Sequence, residues 1–176
     1  MINYIKGSFR ELTKTKTLII AALLIAINII LTRFLSFETQ FLRIGFGFLP
    51  VAICGLLFGP VVSGFSAAIA DLIGIFLFPK ASFFPGFSIT QFLYGAIYGF
   101  WFYKRKVTLS KIMLAVLCVS LFLDIGLNTL WLSILYGKGY IGLLPARTLK
   151  TATFYPIQVI LIYSVNKILS KAKINI

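Results

Sequence analysis

An aspartate and an asparagine lie one helical turn apart within an apolar stretch, LFLDIGLNTLWLSILYG, at residues 121–137. Asp124, Asn128 and Trp131 follow the i, i+4, i+7 spacing that places side chains on one face of a helix. A charged side chain at the centre of a bilayer costs about 2.5–3.5 kcal/mol even on a lenient insertion scale. The carboxylate must therefore be paired, hydrated or used for binding.

A second polar stripe follows on the next predicted helix. Arg147, Thr151, Tyr155 and Gln158 share one helical face at the spacing i, i+4, i+8 and i+11. Two consecutive helices with polar and aromatic faces indicate a common cavity. The alternative is a network of interhelical hydrogen bonds that holds the helices together, worth about 0.6 kcal/mol per bond.

Asp71 is the other acidic residue within an apolar segment, SAAIADLIGIF. Small residues on its inner flank permit close helix approach. A structural pair with Arg147 or Lys150 and a direct contact to a ligand are both compatible with its position.

Histidine and a nucleotide-binding loop, on which much enzymatic chemistry depends, are absent from the sequence, and a hydrolase with two carboxylates is poorly supported by its four acidic residues. It contains no histidine, which excludes metal sites, triads and proton shuttles built on that residue. It also lacks the GxxxxGK[ST] loop that binds nucleotide phosphates. Cys54 and Cys118 are isolated in apolar segments and are interpreted as packing residues. We expect no enzymatic activity, no metal and no cofactor.

The elements that position these residues are predicted to cross a membrane. The chain has 176 residues, of which 60% are hydrophobic and 12% charged, and its mean hydropathy is +1.00. A soluble domain carries about 25% charged residues, and a spanning helix needs about 20 mostly apolar ones. We predict an all-α integral membrane protein, a single domain over residues 1–176. Its six transmembrane helices are expected at about 17–35, 44–58, 60–78, 87–103, 112–136 and 145–169, with a helix stop and restart at the Gly59-Pro60 pair.

Basic residues cluster on one side of this predicted bundle. Eleven of the 17 lie before the first span, between the fourth and fifth spans, or after the sixth. The positive-inside rule then places both termini in the cytoplasm. The net charge of +13 is thereby explained without nucleic acid. These eleven residues are Lys6, Arg10, Lys14, Lys16, Lys104, Arg105, Lys106, Lys111, Lys167, Lys171 and Lys173.

The remaining six basic residues fall on the opposite, outer side. Cations on the side that the rule disfavours indicate an anionic ligand, whereas interfacial snorkelling is the alternative for Lys80 and Lys138. Arg147 is expected in the first turn of the sixth helix. The six residues are Arg33, Arg43, Lys80, Lys138, Arg147 and Lys150.

The outer segment PKASFFPGF, at residues 79–87, has the composition of a gate over a binding site. Its prolines and Gly86 provide hinge positions, while Phe83, Phe84 and Phe87 provide an apolar cover that excludes water. An ordinary interfacial loop with aromatic anchors is the alternative.

Ala22 and Ala26 form an AxxxA pattern on the first predicted span. Small residues four positions apart make a flat stripe on which another helix can pack closely. An incidental occurrence is the alternative, because alanine is common in membrane helices.

Four stretches resemble the substrate-binding S components of energy-coupling factor (ECF) vitamin transporters, most closely the folate-specific type. They are RIGFGFLPVAICGLLFGPVVSGFSAAIADLIG, FFPGFSITQFLYGAIYGF, LNTLWLSILYG and LPARTLK, which are distributed between residues 43 and 150. The resemblance implies the six-helix S-component fold, in a multi-pass protein of the bacterial cell membrane with a vitamin site open to the outside. It also implies a membrane scaffold subunit docked on Ala22 and Ala26, and two cytoplasmic ATPase subunits.

For folate or a reduced folate as the ligand, this resemblance implies roles for particular residues. Asp124 or Asp71, with Asn128, accepts hydrogen bonds from the pterin, and aromatic side chains stack on its rings. Arg147 and Lys150 hold the carboxylates of the glutamyl tail. The expected binding residues are Asp71, Phe83, Phe84, Gly86, Phe87, Asp124, Asn128, Trp131, Arg147, Lys150 and Tyr155.

Other interpretations stay open at this point. An S component for another vitamin such as anionic pantothenate is compatible with the basic outer side, whereas cationic thiamine fits it badly. A structural membrane protein of a cell-envelope assembly is the alternative from a different class, with polar stripes that only join helices. A small channel is disfavoured because the aromatic, glycine-rich outer loops resemble lids.

Overall fold

The computed structural model describes residues 2–38, 43–79, 83–137 and 139–171, and most of these are helical. One short antiparallel pair joins strands β1 (Phe37–Glu38) and β2 (Arg43–Ile44). The helices are α1 (Ile2–Glu11), α2 (Thr15–Arg33), α3 (Phe48–Leu77), α4 (Pro85–Phe102), α5 (Leu109–Cys118), α6 (Asn128–Tyr136) and α7 (Tyr140–Lys171), with a π-helical segment (Val119–Leu127) between α5 and α6. Among the described residues, four helical runs are long and apolar enough to cross a membrane: α2, α3, the run from α5 to α6, and α7.

A break divides α3 into two halves at the glycine-proline pair where the sequence predicts one. Gly59 has a φ of 88°, in the region that favours glycine. The buried hydroxyl of Ser8 on α1 accepts hydrogen bonds from the amides of Val61 and Val62 at 3.1 and 3.3 Å. It donates to the carbonyl of Phe58 at 2.8 Å. Ser8 thus supplies, from a separate helix, partners for backbone groups that the break leaves unsatisfied.

The second half of α3 packs on α4 with direct backbone contact. A side chain at Gly95 would meet the carbonyl group of Ser63, and one at Gly99 would meet the backbone of Pro60. Small residues permit this close approach between membrane helices. Tyr98, next to Gly99, is fully buried and belongs to a core cluster with residues of α3, α5 and α7.

The π-helical segment interrupts the long run from residue 109 to residue 136. At its end the amide of Asn128 donates to the carbonyl of Leu123, five residues earlier, instead of four. Such segments inside α-helices are rare and occur frequently at functional sites. Asp124 lies within the segment. The α-helical spacing that would align Asp124 with Asn128 and Trp131 on one face therefore does not apply across the π-helical segment.

α7 begins at Tyr140, before the expected start near residue 145. The expectation that Arg147 lies in the first turn is therefore wrong, because the residue lies seven positions after the start of the helix. Arg147, Thr151 and Gln158 are buried, so most of the predicted polar stripe of α7 faces the bundle.

α2 is attached to the bundle by one face. Its buried residues Ala21 and Leu24 belong to a cluster with Cys54 and Phe58 of α3, so Cys54 packs as expected. Within an apolar stretch of 18 residues in each helix, 22% is buried in α2 and 72% is buried in α3. Ala22 and Ala26 are among the exposed residues of α2.

Candidate ligand-binding site

A largely buried polar group, here called the polar floor, lies within the bundle and consists of Tyr94, Tyr98, Asp124 and Arg147. Asp124 and Arg147 are 7% and 8% exposed. The Arg147 guanidinium donates from Nη2 to the backbone carbonyl of Asp124 at 3.0 Å. The phenol of Tyr94 lies close to the Asp124 carboxylate and to the Arg147 guanidinium. The floor thus joins α4, the π-helical segment and α7.

The π-helical geometry explains why the Asp124 carbonyl is available to a side chain. In an α-helix this carbonyl would accept the amide of residue 128. Here that amide bonds to Leu123, and the Asp124 carbonyl instead receives Arg147 and, at 3.4 Å, the hydroxyl of Thr129. The positive charge of Arg147 is thereby held beside the only acidic residue of the segment, which offsets the cost of burying both.

Tyr94 and Tyr98 are floor residues that the sequence analysis misses. The Tyr98 hydroxyl is buried and makes no hydrogen bond to any residue that the structure describes. Buried polar atoms are normally satisfied, so this phenol is suited to meet a ligand. A signal for these residues exists in the sequence, because Thr90, Tyr94 and Tyr98 follow the same four-residue spacing as the other polar stripes.

An aromatic group, here called the aromatic cap, lies at the start of α4 and consists of Phe84, Phe87 and Trp131. The ring centroid of Phe84 is 5.5 Å from that of Trp131 and 6.0 Å from that of Phe87. The indole Nε1 of Trp131 donates to the hydroxyl of Thr90 at 3.0 Å. A Cβ at Gly86 would lie 2.6 Å from the Trp131 ring, so glycine is what lets the indole close against α4. The structure therefore brings four of the predicted residues together at this cap.

Phe83 stands apart from the cap. Its ring is 6.0 Å from that of Phe76 on α3, and it is 45% exposed. Lys80 and the two residues after it lie outside the described residues, so the proposed gate at 79–87 is described only at its ends.

Other predicted residues occupy helix contacts. Asp71 accepts a hydrogen bond from the hydroxyl of Ser88 at 2.9 Å and so connects α3 to α4. The Tyr155 hydroxyl donates to the carbonyl of Met113 at 3.1 Å, on the contact between α7 and α5. Asn128 and Lys150 are half-buried.

The predicted basic outer rim differs in the structure. Arg33 is buried and its Nη1 lies 3.4 Å from the carbonyl of Phe78. Arg147 is buried in the floor. Lys80 and Lys138 lie outside the described residues, and the side chain of Arg43 is not described. An intramembrane arginine that faces the bundle marks a binding site more specifically than a rim of exposed cations.

The chemistry of this site is that of non-covalent recognition. A carboxylate, an arginine and two phenols can exchange hydrogen bonds with a polar ring system, and the aromatic cap can cover its faces. No group of three or more potential metal ligands of the His, Cys, Asp and Glu types occurs within the described ranges.

The family model for "ECF transporter, substrate-specific component" matches residues 16–171. The chain belongs to this family. The folate transporter FolT of Clostridium novyi is 40% identical over 161 residues, which is 92% of this chain and 94% of the relative. FolT of Leuconostoc mesenteroides subsp. mesenteroides is 30% identical over 151 residues, covering 82% of this chain and 81% of the relative. A solved structure described as FolT bound with folic acid has a TM-score of 0.84 and 43% identity, over 88% of this chain and 95% of the other.

Membership of the ECF substrate-specific components confirms the predicted family, the six-span all-helical fold class and a multi-pass membrane protein. Since these components bind the substrate of a transporter, it also confirms that the chain is not an enzyme. The alternative of a structural protein of the cell envelope is excluded.

Proposed function

We propose that this chain is the folate-binding subunit of an ECF-type importer. The observation that carries the proposal is its 43% identity and TM-score of 0.84 to FolT bound with folic acid. The two relatives named folate transporter support the same ligand class. The floor supplies what a pterin needs, namely a buried carboxylate for adjacent N–H donors.

The contact between Arg147 and Asp124 limits the orientations that folate can take in the site. The pterin and the glutamyl carboxylates are at opposite ends of folate, whereas Arg147 touches the backbone of Asp124. One end of the ligand therefore meets both residues. We assign this end to the pterin, because Asp124 would repel the glutamyl carboxylates. The tail then extends outward past the aromatic cap.

The proposal includes the partners and orientation of the family. A scaffold membrane subunit docks on α2 at Ala22 and Ala26, and two ATPase subunits in the cytoplasm supply the energy. Both termini and the connection after α4 face the cytoplasm, as the positive-inside rule predicts from their lysines and arginines.

Folate should stabilise the detergent-solubilised protein against thermal unfolding. A ligand that binds only the folded form at about 100 times its Kd adds about 2.7 kcal/mol to the free energy of unfolding. The measurement is a thermal-shift series with folate, pteroate, pantothenate and thiamine. Stabilisation by pantothenate or thiamine with none by folate would assign the chain to another vitamin.

Phe84→Ala should speed the release of folate about fivefold, because the cap loses the ring that contacts both Phe87 and Trp131. An aromatic contact of this kind is worth about 1 kcal/mol. Phe83→Ala is the matched control, since that ring packs on Phe76 instead. Stopped-flow dissociation measures both rates. Equal rates in the wild type and the Phe84 variant would leave these rings as interfacial anchors only.

A further inference from the structure

Thr90 on α4 holds the indole of Trp131 on α6 by its N–H group. Thr90 is fully buried, and its hydroxyl accepts a hydrogen bond from Nε1 of Trp131 at 3.0 Å. The same hydroxyl donates to the carbonyl of Gly86, one turn earlier on α4, at 2.9 Å. Because its proton is committed to that carbonyl, the hydroxyl presents a lone pair to the indole and acts there as an acceptor.

Gly86 fixes the indole from a second direction. A Cβ at this position would lie 2.6 Å from Cδ2 and 2.8 Å from Cε2 of Trp131. These two atoms form the bond that the two rings of an indole share, so a neighbour can approach both only from above or below the ring plane. One face of the indole therefore lies against the backbone of α4, and its N–H edge is held by Thr90. The half-buried ring can then meet a ligand only through its opposite face.

The hydrogen bond to Thr90 also sets the distance between the indole and the polar floor. Thr90 and Tyr94 are four residues apart on α4 and share one face of the helix. The acceptor of the indole N–H is therefore about 6 Å along the helix axis from a floor residue. A ligand that contacts Tyr94 is consequently close enough to stack on Trp131.

We propose that Thr90 is a positioning residue, which fixes Trp131 so that the indole meets folate by its ring face and not by its N–H group. This role rests on the proposed function. Stacking on an aromatic face tolerates different patterns of donors and acceptors on the stacked ring. The polar floor then selects the substrate by hydrogen bonds, whereas Trp131 contributes affinity without reading that pattern.

Thr90→Val tests this role, because it nearly keeps the shape of the side chain and removes the acceptor of the indole N–H. A buried donor without a partner is costly, so the indole leaves its position and the affinity for folate should fall about tenfold. Thr90→Ser keeps the hydroxyl and should restore most of the affinity. Calorimetric titration measures both variants. Pteroate should lose as much affinity as folate, since both ligands carry the rings that stack.

Gly86→Ala is a second route to the same displacement. The added methyl group would lie where the shared bond of the indole now lies, so the ring must move and folate affinity should again fall. This variant serves the test if Thr90→Val does not fold. Thermal unfolding of each variant without folate shows whether it is folded.

Trp131→Phe separates positioning from a purely structural role of Thr90. Phenylalanine keeps a ring face but has no N–H group, so the hydroxyl has no indole to hold. Thr90→Val added to Trp131→Phe should therefore cost no further folate affinity, as expected for two residues that act through one contact. An additive loss would overturn the proposal, because Thr90 would then act on folate by another route.

The indole N–H signal reports the hydrogen bond in the absence of ligand. The chain has two tryptophans, so Trp101→Phe leaves Trp131 as the only one. In this background, exchange of the ¹⁵N-bound indole proton with solvent should be about tenfold faster with Thr90→Val, because the closed, hydrogen-bonded form is lost. Thr90→Ser should keep the slow exchange. Equal exchange with valine and threonine would contradict the positioning role.

Failure of this role and failure of the proposed function give different results. Wild-type protein that binds folate, with unchanged affinity in Thr90→Val, would overturn the role of Thr90 alone. A higher affinity in that variant would show that the released indole N–H contacts the ligand, which also contradicts the proposal. Wild-type protein that does not bind folate would overturn the proposed function and this role with it.

Discussion

Asp124→Asn is expected to weaken folate binding about ten- to a hundredfold. The substitution keeps the shape of the side chain but replaces one hydrogen-bond acceptor by a donor, which then opposes the N–H donors of the pterin. An unmatched buried polar group costs about 1–3 kcal/mol. The substitution also removes the negative charge beside the Arg147 guanidinium and the Tyr94 phenol. Calorimetric titration of the purified protein measures the affinity.

Pteroate, which lacks the glutamyl tail, is the control ligand for this substitution. If Asp124 meets the pterin, the two ligands lose affinity equally. Arg147→Gln should show the same equality, since its guanidinium contacts the Asp124 carbonyl. The double variant should lose less than the sum of the two single losses, as residues in one hydrogen-bonded group do. A loss confined to folate would instead place these residues at the glutamyl tail, and wild-type affinity with lowered thermal stability would make the polar floor a structural contact.

The polar residues that form the floor could be predicted from the sequence only in part. Asp124 and Arg147 are identifiable because a charged side chain in an apolar span is costly and therefore indicates an ion pair or a functional site. Their contact is not identifiable, since it depends on a π-helical segment that releases a backbone carbonyl, and an α-helical period cannot represent this. Tyr94 and Tyr98 are concealed among many aromatic residues, and only tertiary packing shows that both belong to the core of the bundle.

The same limit applies to the ends of the helices. The break at Gly59 is predictable, because glycine before proline is a local signal. The stabilisation of this break by Ser8 is not predictable, because the hydroxyl comes from a residue 50 positions away in the chain. Arg33 is a comparable case: it has the sequence context of an outer cation, yet it is buried against Gly74 and Phe78. Local patterns predict where helices are interrupted, whereas tertiary contacts decide which polar groups are used there.

Ala22→Trp or Ala26→Trp is expected to abolish folate uptake by cells while leaving the folate affinity of the isolated subunit nearly unchanged. Both alanines are exposed on α2, on the face opposite to Ala21 and Leu24, which pack on α3. Large apolar side chains surround them, including Leu23 and Ile30, which are 57% and 50% exposed. The two alanines therefore form a shallow depression on an otherwise bulky face, where another helix can approach closely.

A bulky ring in this depression would hold the scaffold helix away without touching the polar floor. Ile160→Trp on α7 is the matched control, because Ile160 is 63% exposed and also faces the surroundings of the bundle. Co-purification with the scaffold and ATPase subunits measures docking, and titration with folate measures the site. Loss of folate affinity in the alanine variants would show that α2 packs on the bundle through this stripe. If docking and uptake are retained, the scaffold subunit contacts another face of the protein. If the alanine variants lose docking but keep their folate affinity, and the Ile160 variant keeps both, then the partner surface on α2 is separate from the substrate site.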